Sequence, residues 1–139
     1  ACEDINLSKI LAETIYDIDK NLIYLVPTGS KMEKAAREVG MKIACEIFAD
    51  RNYEDDGNLF SRSKPNAVIT DPEKCKQHVL KMVETQSINC FSGKKIKCEI
   101  DSVCIHGDNK ESLETAKQIK KVLEENNIYL KPLNNLKKF

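Results

Sequence analysis

The chain has 139 residues, and its 22 basic and 22 acidic side chains give a formal net charge of zero. A neutral chain lacks the electrostatic footprint of a protein that binds nucleic acid or an anionic membrane, so neither partner is expected. No apolar run approaches the ~18 residues of a membrane span and the start carries no signal-peptide core, so we expect one cytoplasmic domain over residues 1–139.

The first part of the chain alternates helical and strand-like patterns. A helix is predicted over 7–19 by apolar residues at intervals of three and four, namely Leu7, Leu11, Ile15 and Ile18. A short apolar run at 22–26 predicts a strand. A capping box that begins at Ser30 and a glycine at Gly40 bound a second helix. Residues 42–49 predict a strand that is apolar on both faces, as in a parallel sheet covered by helices.

The second part opens on a polar segment, 50–66, that is too long for an ordinary connection, and such loops are usually functional. The other predicted elements are a strand at 67–69, a helix that begins at Asp71 and Pro72, a hairpin over 88–100, a strand at 102–105, a helix over 113–123 and a last strand at 128–130. Strands that alternate with helices imply parallel βαβ units with right-handed crossovers.

Cysteine usage and glycine spacing exclude several site types. None of the six cysteines forms a CxxC pair. Cys45, Cys75 and Cys104 lie in apolar stretches, which indicates buried free thiols in a reducing compartment. No short-spaced ligand cluster indicates zinc, and no glycine-rich phosphate loop is present.

Polar residues follow three of the predicted strands, at Thr28–Ser30, at Asp50–Arg51 and at His106–Asp108. The carboxyl ends of parallel strands open into one crevice, so we expect these side chains, and the loop at 51–66, to share one rim. A carboxylate, a guanidinium and an imidazole together can bind a carboxylated substrate and move a proton.

Each of these residues also has a purely structural interpretation. His106 can be a packed strand-end histidine, and Asp108 can be a helix cap that accepts an N–H. Asp50 and Arg51 can form a surface ion pair of little energetic value. The other histidine, His78, falls among polar helix residues and is interpreted as solvent-facing.

The segment from Glu46 to Ile69 resembles a loop of the LamB/YcsF family, which comprises the A subunits of 5-oxoprolinase and whose pattern is E-x-F-A-D-R-x-Y-x-x-D-G-x-L-x-x-R-x-x-P-G-A-x-I. The matching residues are Glu46, Phe48, Ala49, Asp50, Arg51, Tyr53, Asp56, Gly57, Leu59, Arg62, Pro65, Ala67 and Ile69. The later CIHGD is similar to the family's ICVHGD. Asn66 replaces the usual glycine, and asparagine tolerates a left-handed backbone better than most residues.

The resemblance implies a (β/α) barrel of the glycoside hydrolase and deacetylase type. The family's N-terminal segments, among them D-L-N-x-D-x-G-E and K-P-H-G-A-L-Y, do not occur here. The chain is therefore expected to be an α/β partial barrel, the C-terminal half of the family's fold, with flanking helices and a small hairpin. Because half a barrel leaves sheet edges open, we expect one of three situations. Another chain completes the barrel, the sequence is a fragment of a longer protein, or the chain self-associates.

The resemblance further implies a subunit of ATP-dependent 5-oxoprolinase, which opens the lactam of 5-oxo-L-proline to L-glutamate together with subunits B and C. ATP, with Mg²⁺, is the expected cofactor, and no other metal is assigned. His106, Asp108 and Asp50 are the candidate catalytic residues for proton transfer or metal support. Arg51 and Arg62 are the candidates for holding a carboxylate or phosphate.

Two other functions stay open. The barrel analogy alone supports a metal-dependent deacetylase or amidase, which would need a tightly bound divalent ion. A non-catalytic module that only completes a partner's barrel would tolerate exchange of Asp50, Arg51 and His106.

Overall fold

The computed structural model describes residues 1–107 and 110–139. The elements in chain order are α1 (Ile5–Ile18), β1 (Ile23–Pro27), α2 (Lys31–Val39), β2 (Lys42–Phe48), α3 (Pro72–Thr85), β3 (Ser87–Asn89), β4 (Lys95–Lys97), β5 (Ser102–Cys104), α4 (Ser112–Glu125) and a short 3-10 helix (Leu133–Asn135). None of the described helices is both long enough and apolar enough to cross a membrane.

The main sheet has three strands in the order β1-β2-β5, and both pairings are parallel. Pro27 pairs with Glu46, and Glu46 in turn pairs with Ser102. Strands β3 and β4 form a separate antiparallel hairpin. The predicted α/β fold with parallel strands, flanking helices and a small hairpin is confirmed.

Local sequence signals set the helix ends. The Ser30 hydroxyl accepts the N–H of Glu33, as the predicted capping box requires, while the returning Glu33 carboxylate accepts the N–H of Gly29, one residue before the cap. Gly40 ends α2 in the left-handed conformation. Asp71 caps α3, whose first residue is proline.

The sheet is covered by helices on one face. Odd-numbered residues of β2, such as Ile43, Cys45 and Ile47, are 5% exposed or less. They pack against residues of α2 and α3, including Ala36 and Met82. Because side chains alternate along a strand, Glu46 and Phe48 lie on the other face, where both are only half-buried. The described residues leave this second face partly open.

Two predicted strands are wrong. Residues 67–69 make a single antiparallel bridge, Arg51 to Val68, because the polar loop folds back on itself instead of entering the sheet. Residues 128–130 are not extended into a sheet. The chain turns sharply at Asn127, with φ of 61°, and the Ile128 N–H returns to the Leu123 carbonyl of α4.

The buried stripe of α1 also differs from the prediction. Its fully buried residues are Ser8 and Ala12, whereas Leu7 is 43% and Ile18 is 75% exposed. The small residues let α1 approach α2 closely. Of the predicted apolar face, Leu11 and Ile15 are half-buried, and Ile15 packs against the core.

Candidate active site at the carboxyl ends of the parallel strands

A histidine and a carboxylate meet where two neighbouring strands end. Asp50 follows β2, His106 follows β5, and the parallel pairing of Phe48 with Cys104 brings the two together. The Nδ1 of His106 lies 2.9 and 2.8 Å from the two carboxylate oxygens of Asp50. When Nδ1–H donates to this carboxylate, Nε2 carries the lone pair and can accept a proton.

The surroundings hold this pair in place. The Asp50 side chain is 13% exposed and that of His106 is 29% exposed, so the pair is shielded yet reachable. The Phe48 ring stacks on the imidazole with centroids 6.0 Å apart. The Ser112 hydroxyl, at the start of α4, donates to the backbone carbonyl of His106. The Asp50 carboxylate and the Phe48 ring therefore hold the imidazole, and the Ser112 hydrogen bond holds its backbone.

The long loop covers the carboxyl ends of β1 and β2, as predicted. A cavity of about 270 Å³ lies beneath it, lined by Pro27 and Thr28 of the β1 end, by Phe48 of the β2 end and by loop residues that include Tyr53. The Tyr53 hydroxyl accepts the N–H of Phe48 at 2.9 Å. This bond fastens the loop to the strand beside the imidazole.

Arg51 is buried within this loop, at 7% exposure. Its Nε donates to the Ala67 carbonyl at 3.2 Å and its Nη2 to the Phe60 carbonyl at 2.5 Å. Arg62, in contrast, is exposed. The guanidinium of Arg51 thus braces both arms of the loop, and the predicted substrate contacts of Arg51 and Arg62 stay predictions.

Asp108 lies outside the described residues. Helix α4 begins at Ser112 with Glu111 in the N-cap position, and among the residues that the structure describes no side-chain hydrogen bond caps it. The predicted role of Asp108 in proton transfer stays a prediction.

The interpretation of His78 as solvent-facing is wrong. Its Nε2 lies 3.1 Å from the carbonyl oxygen of Arg51, and its ring stacks on Tyr53 at 6.1 Å. Burial is the main cause that lowers the pKa of His78 below its ordinary value. The sequence pattern placed it among Lys and Gln, and only the returning loop buries it.

The structure also gathers groups that sequence spacing did not connect. Ligand atoms of Cys45, Glu99 and Asp101 lie within 4.8 Å of one another. However, Lys138 lies 2.5 Å from Asp101, and Arg37 lies 2.8 Å from Glu99. Burial raises the pKa of the Cys45 thiol to about 12, so it stays protonated. Protein cations already neutralise the carboxylates, which makes this a poor cation site.

The residues that line the cavity do not fit a nucleoside triphosphate. The polyphosphate needs several cationic or N–H donors. Arg51 is the sole lysine or arginine among the lining residues that the structure describes, and two of its donors go to backbone carbonyls.

The α/β scaffold holds a histidine against a carboxylate at the carboxyl ends of parallel strands. These features define a half-barrel protein with an enzyme-like site. The chain belongs to the LamB/YcsF family, whose model matches residues 1–138.

Named relatives and a solved structure agree with this assignment. A Clostridium beijerinckii protein, named as the A subunit of 5-oxoprolinase, is 43% identical over 98% of this chain and 53% of its own length. A Pyrococcus abyssi protein of the same name is 40% identical over 93% of this chain and 51% of its own length. The crystal structure of the lactam utilization protein from Thermus thermophilus superposes with a TM-score of 0.81 at 28% identity, covering 94% of this chain and 51% of that one. The chain spans about half the length of the curated relatives it matches.

Proposed function

We propose that this chain contributes half of the catalytic barrel of an ATP-dependent 5-oxoprolinase, which opens the lactam of 5-oxo-L-proline to L-glutamate. The supporting observation is the His106–Asp50 pair at the strand ends, in a chain that aligns over nearly its whole length with relatives named as the A subunit of 5-oxoprolinase. Hydrolysis of a ring amide needs a group that takes a proton from water, and a carboxylate-held imidazole supplies one.

The exposed apolar surface supports a half-barrel that another half completes. Outward residues of α1 and the following turn, Ile10, Ile18 and Leu22, are 60%, 75% and 45% exposed. Leu25, on the open face of β1, is 40% exposed. Leu25 is the residue that a second half of the barrel would cover directly, because it lies on the open face of the sheet. The covering partner is the other half of the family fold, carried on the same or another polypeptide, and a second copy of this chain is the competing arrangement.

The residues divide the work as follows. His106 accepts a proton at Nε2 from the attacking water, and Asp50 orients the ring through Nδ1. Arg62 and Asp108 keep their predicted roles in anion binding and proton transfer. ATP and Mg²⁺ are handled by the partner subunits, B and C, because the described residues that line the cavity supply too few donors for a polyphosphate.

The test is a reconstitution of the chain with the completing half and subunits B and C. We expect ATP-dependent release of glutamate from 5-oxoproline, and His106→Ala should abolish it while the circular dichroism spectrum stays unchanged. Full activity with His106→Ala would favour the non-catalytic module. Turnover that needs no ATP and is lost on chelation of a tightly bound metal would favour the metal-dependent hydrolase.

A further inference from the structure

A second acid lies on the same open face of the sheet as His106. Glu46 is on β2 and pairs with Pro27 and Ser102 of the flanking strands. Side chains two residues apart in a strand share a face, so Glu46 and Phe48 point the same way. Glu46 and Phe48 also line the cavity beneath the loop. Glu46 therefore lies at this cavity, beside the Phe48 ring that stacks on the imidazole of His106.

The packing of Glu46 is unusual for a structural acid. It is half-buried in the middle of a sheet, where an apolar side chain would be the ordinary choice. Among the residues that the structure describes, its one side-chain hydrogen bond comes from the Ser102 hydroxyl at 3.4 Å, and no lysine or arginine pairs with it. A half-buried carboxyl group with so little compensation is destabilising, which marks it as a candidate for function.

Desolvation by burial raises the pKa of Glu46, while the Ser102 hydrogen bond and the nearby His106 oppose this change. The other titratable groups around it are Cys104 on β5, Tyr53 and Arg51 in the loop, and Cys2 and Glu3 at the cavity wall. A carboxyl group that holds its proton closer to neutral pH is suited to give that proton up in a reaction.

Glu46 lies near enough to His106 for the two groups to interact electrostatically. Ser102, the residue paired with Glu46, precedes His106 by four residues. Phe48 lies between the two groups in register, because it is paired with Cys104, two residues before His106. An acid and a base that flank one aromatic side chain in this way can supply the two proton transfers that hydrolysis of an amide needs.

We propose that Glu46 is the proton donor to the ring nitrogen of the lactam, acting opposite His106. Water attacks the ring carbonyl carbon, and His106 takes one of its protons. The carbon–nitrogen bond then breaks, and its electron pair takes the proton of the Glu46 carboxyl group, which becomes a carboxylate. Transfer of the proton from the imidazolium back to Glu46 restores both groups. The inference rests on the proposed function. The ring nitrogen needs a proton in order to leave, whichever way ATP activates the carbonyl carbon.

The test compares Glu46→Gln with the matched surface variant Glu84→Gln in the reconstituted enzyme. Glutamine keeps the shape of the side chain and cannot donate a proton as an acid does. General acid catalysis contributes about 10²- to 10⁴-fold, so we expect Glu46→Gln to lower kcat at least about 100-fold with KM little changed. The descending limb of the wild-type kcat/KM profile, which reports loss of the proton from the donor, should disappear in this variant. Glu84→Gln should match the wild type, because Glu84 is exposed on α3.

Each outcome decides the matter. A Glu46→Gln enzyme with kcat within about threefold of wild type, or with an unchanged pH profile, overturns the role of Glu46 while the proposed function stands. A wild-type enzyme that does not open 5-oxoproline overturns both. If Glu46→Gln does not fold, Glu46→Asp replaces it in the comparison. Its carboxyl group is withdrawn by one methylene, so kcat per folded molecule should fall about tenfold if Glu46 donates the proton. An unchanged kcat would show that the acid is merely structural.

Discussion

Replacing Arg51 by methionine separates a bracing role from a substrate-binding role. The guanidinium is 7% exposed and makes two hydrogen bonds to carbonyls on opposite arms of the loop. Hydrogen bonds from a charged group contribute about 1.5–3 kcal/mol each. Because methionine recovers part of the packing, we take the lower end and expect Arg51→Met to lower the free energy of unfolding by about 3 kcal/mol.

The assay is urea denaturation of the reconstituted protein, with hydrogen exchange as a local probe. At an m value of about 1.5 kcal/mol/M, a loss of about 3 kcal/mol moves the midpoint down by about 2 M. The amides of Asn52 and Phe60, the latter bonded to the Asn52 carbonyl, should exchange faster, because the brace that holds both arms is gone.

Arg62→Met is the matched control, since Arg62 is exposed in the same loop and should leave the midpoint within about 0.3 M of wild type. An Arg51→Met protein with an unchanged midpoint and a raised KM for 5-oxoproline would refute the bracing role. Arg51 would then be a substrate ligand, as the residue pattern first indicated.

Three further changes test the site and its frame. Asp50→Asn should reduce kcat for lactam opening at least about 100-fold in steady-state assays, with KM nearly unchanged, because the amide no longer selects the Nδ1–H tautomer of His106. An undiminished kcat would contradict the role of His106 as the base. Burial lowers the pKa of His78, so the folded state favours the neutral ring. The contribution of His78 to stability should therefore be complete above about pH 6.5 and be lost as pH falls below that value. In His78→Gln the urea midpoint should change less between about pH 5 and 7 than in the wild type, and an equal pH slope in both proteins would count against a buried neutral His78. Asn66 has φ of 63°, which glycine adopts freely and valine does not. In the same denaturation assay, Asn66→Gly should keep the free energy of unfolding, whereas Asn66→Val should lower it by about 1–2 kcal/mol. Equal midpoints for both variants would disprove a strained turn.

Local chemistry made much of the fold predictable. The Ser30 capping box, the left-handed Gly40 and the Asp71–Pro72 start of α3 involve only neighbouring residues, so their signals are complete within a few positions. The two-sided apolar pattern of β2 reflects its central place in the parallel sheet. The same reasoning placed Asp50 and His106 at strand ends on one rim.

The sequence by itself determined the family, the order of the helices and of the strands that enter a sheet, and the residue types at the strand ends. Only the tertiary structure decided the partnerships, because those depend on strand register and loop path, which no local pattern records. The register of β2 against β5 joins His106 to Asp50 across 56 positions of chain. The returning loop turns Arg51 inward and buries His78, and the alternation of β2 places Glu46 on the open face.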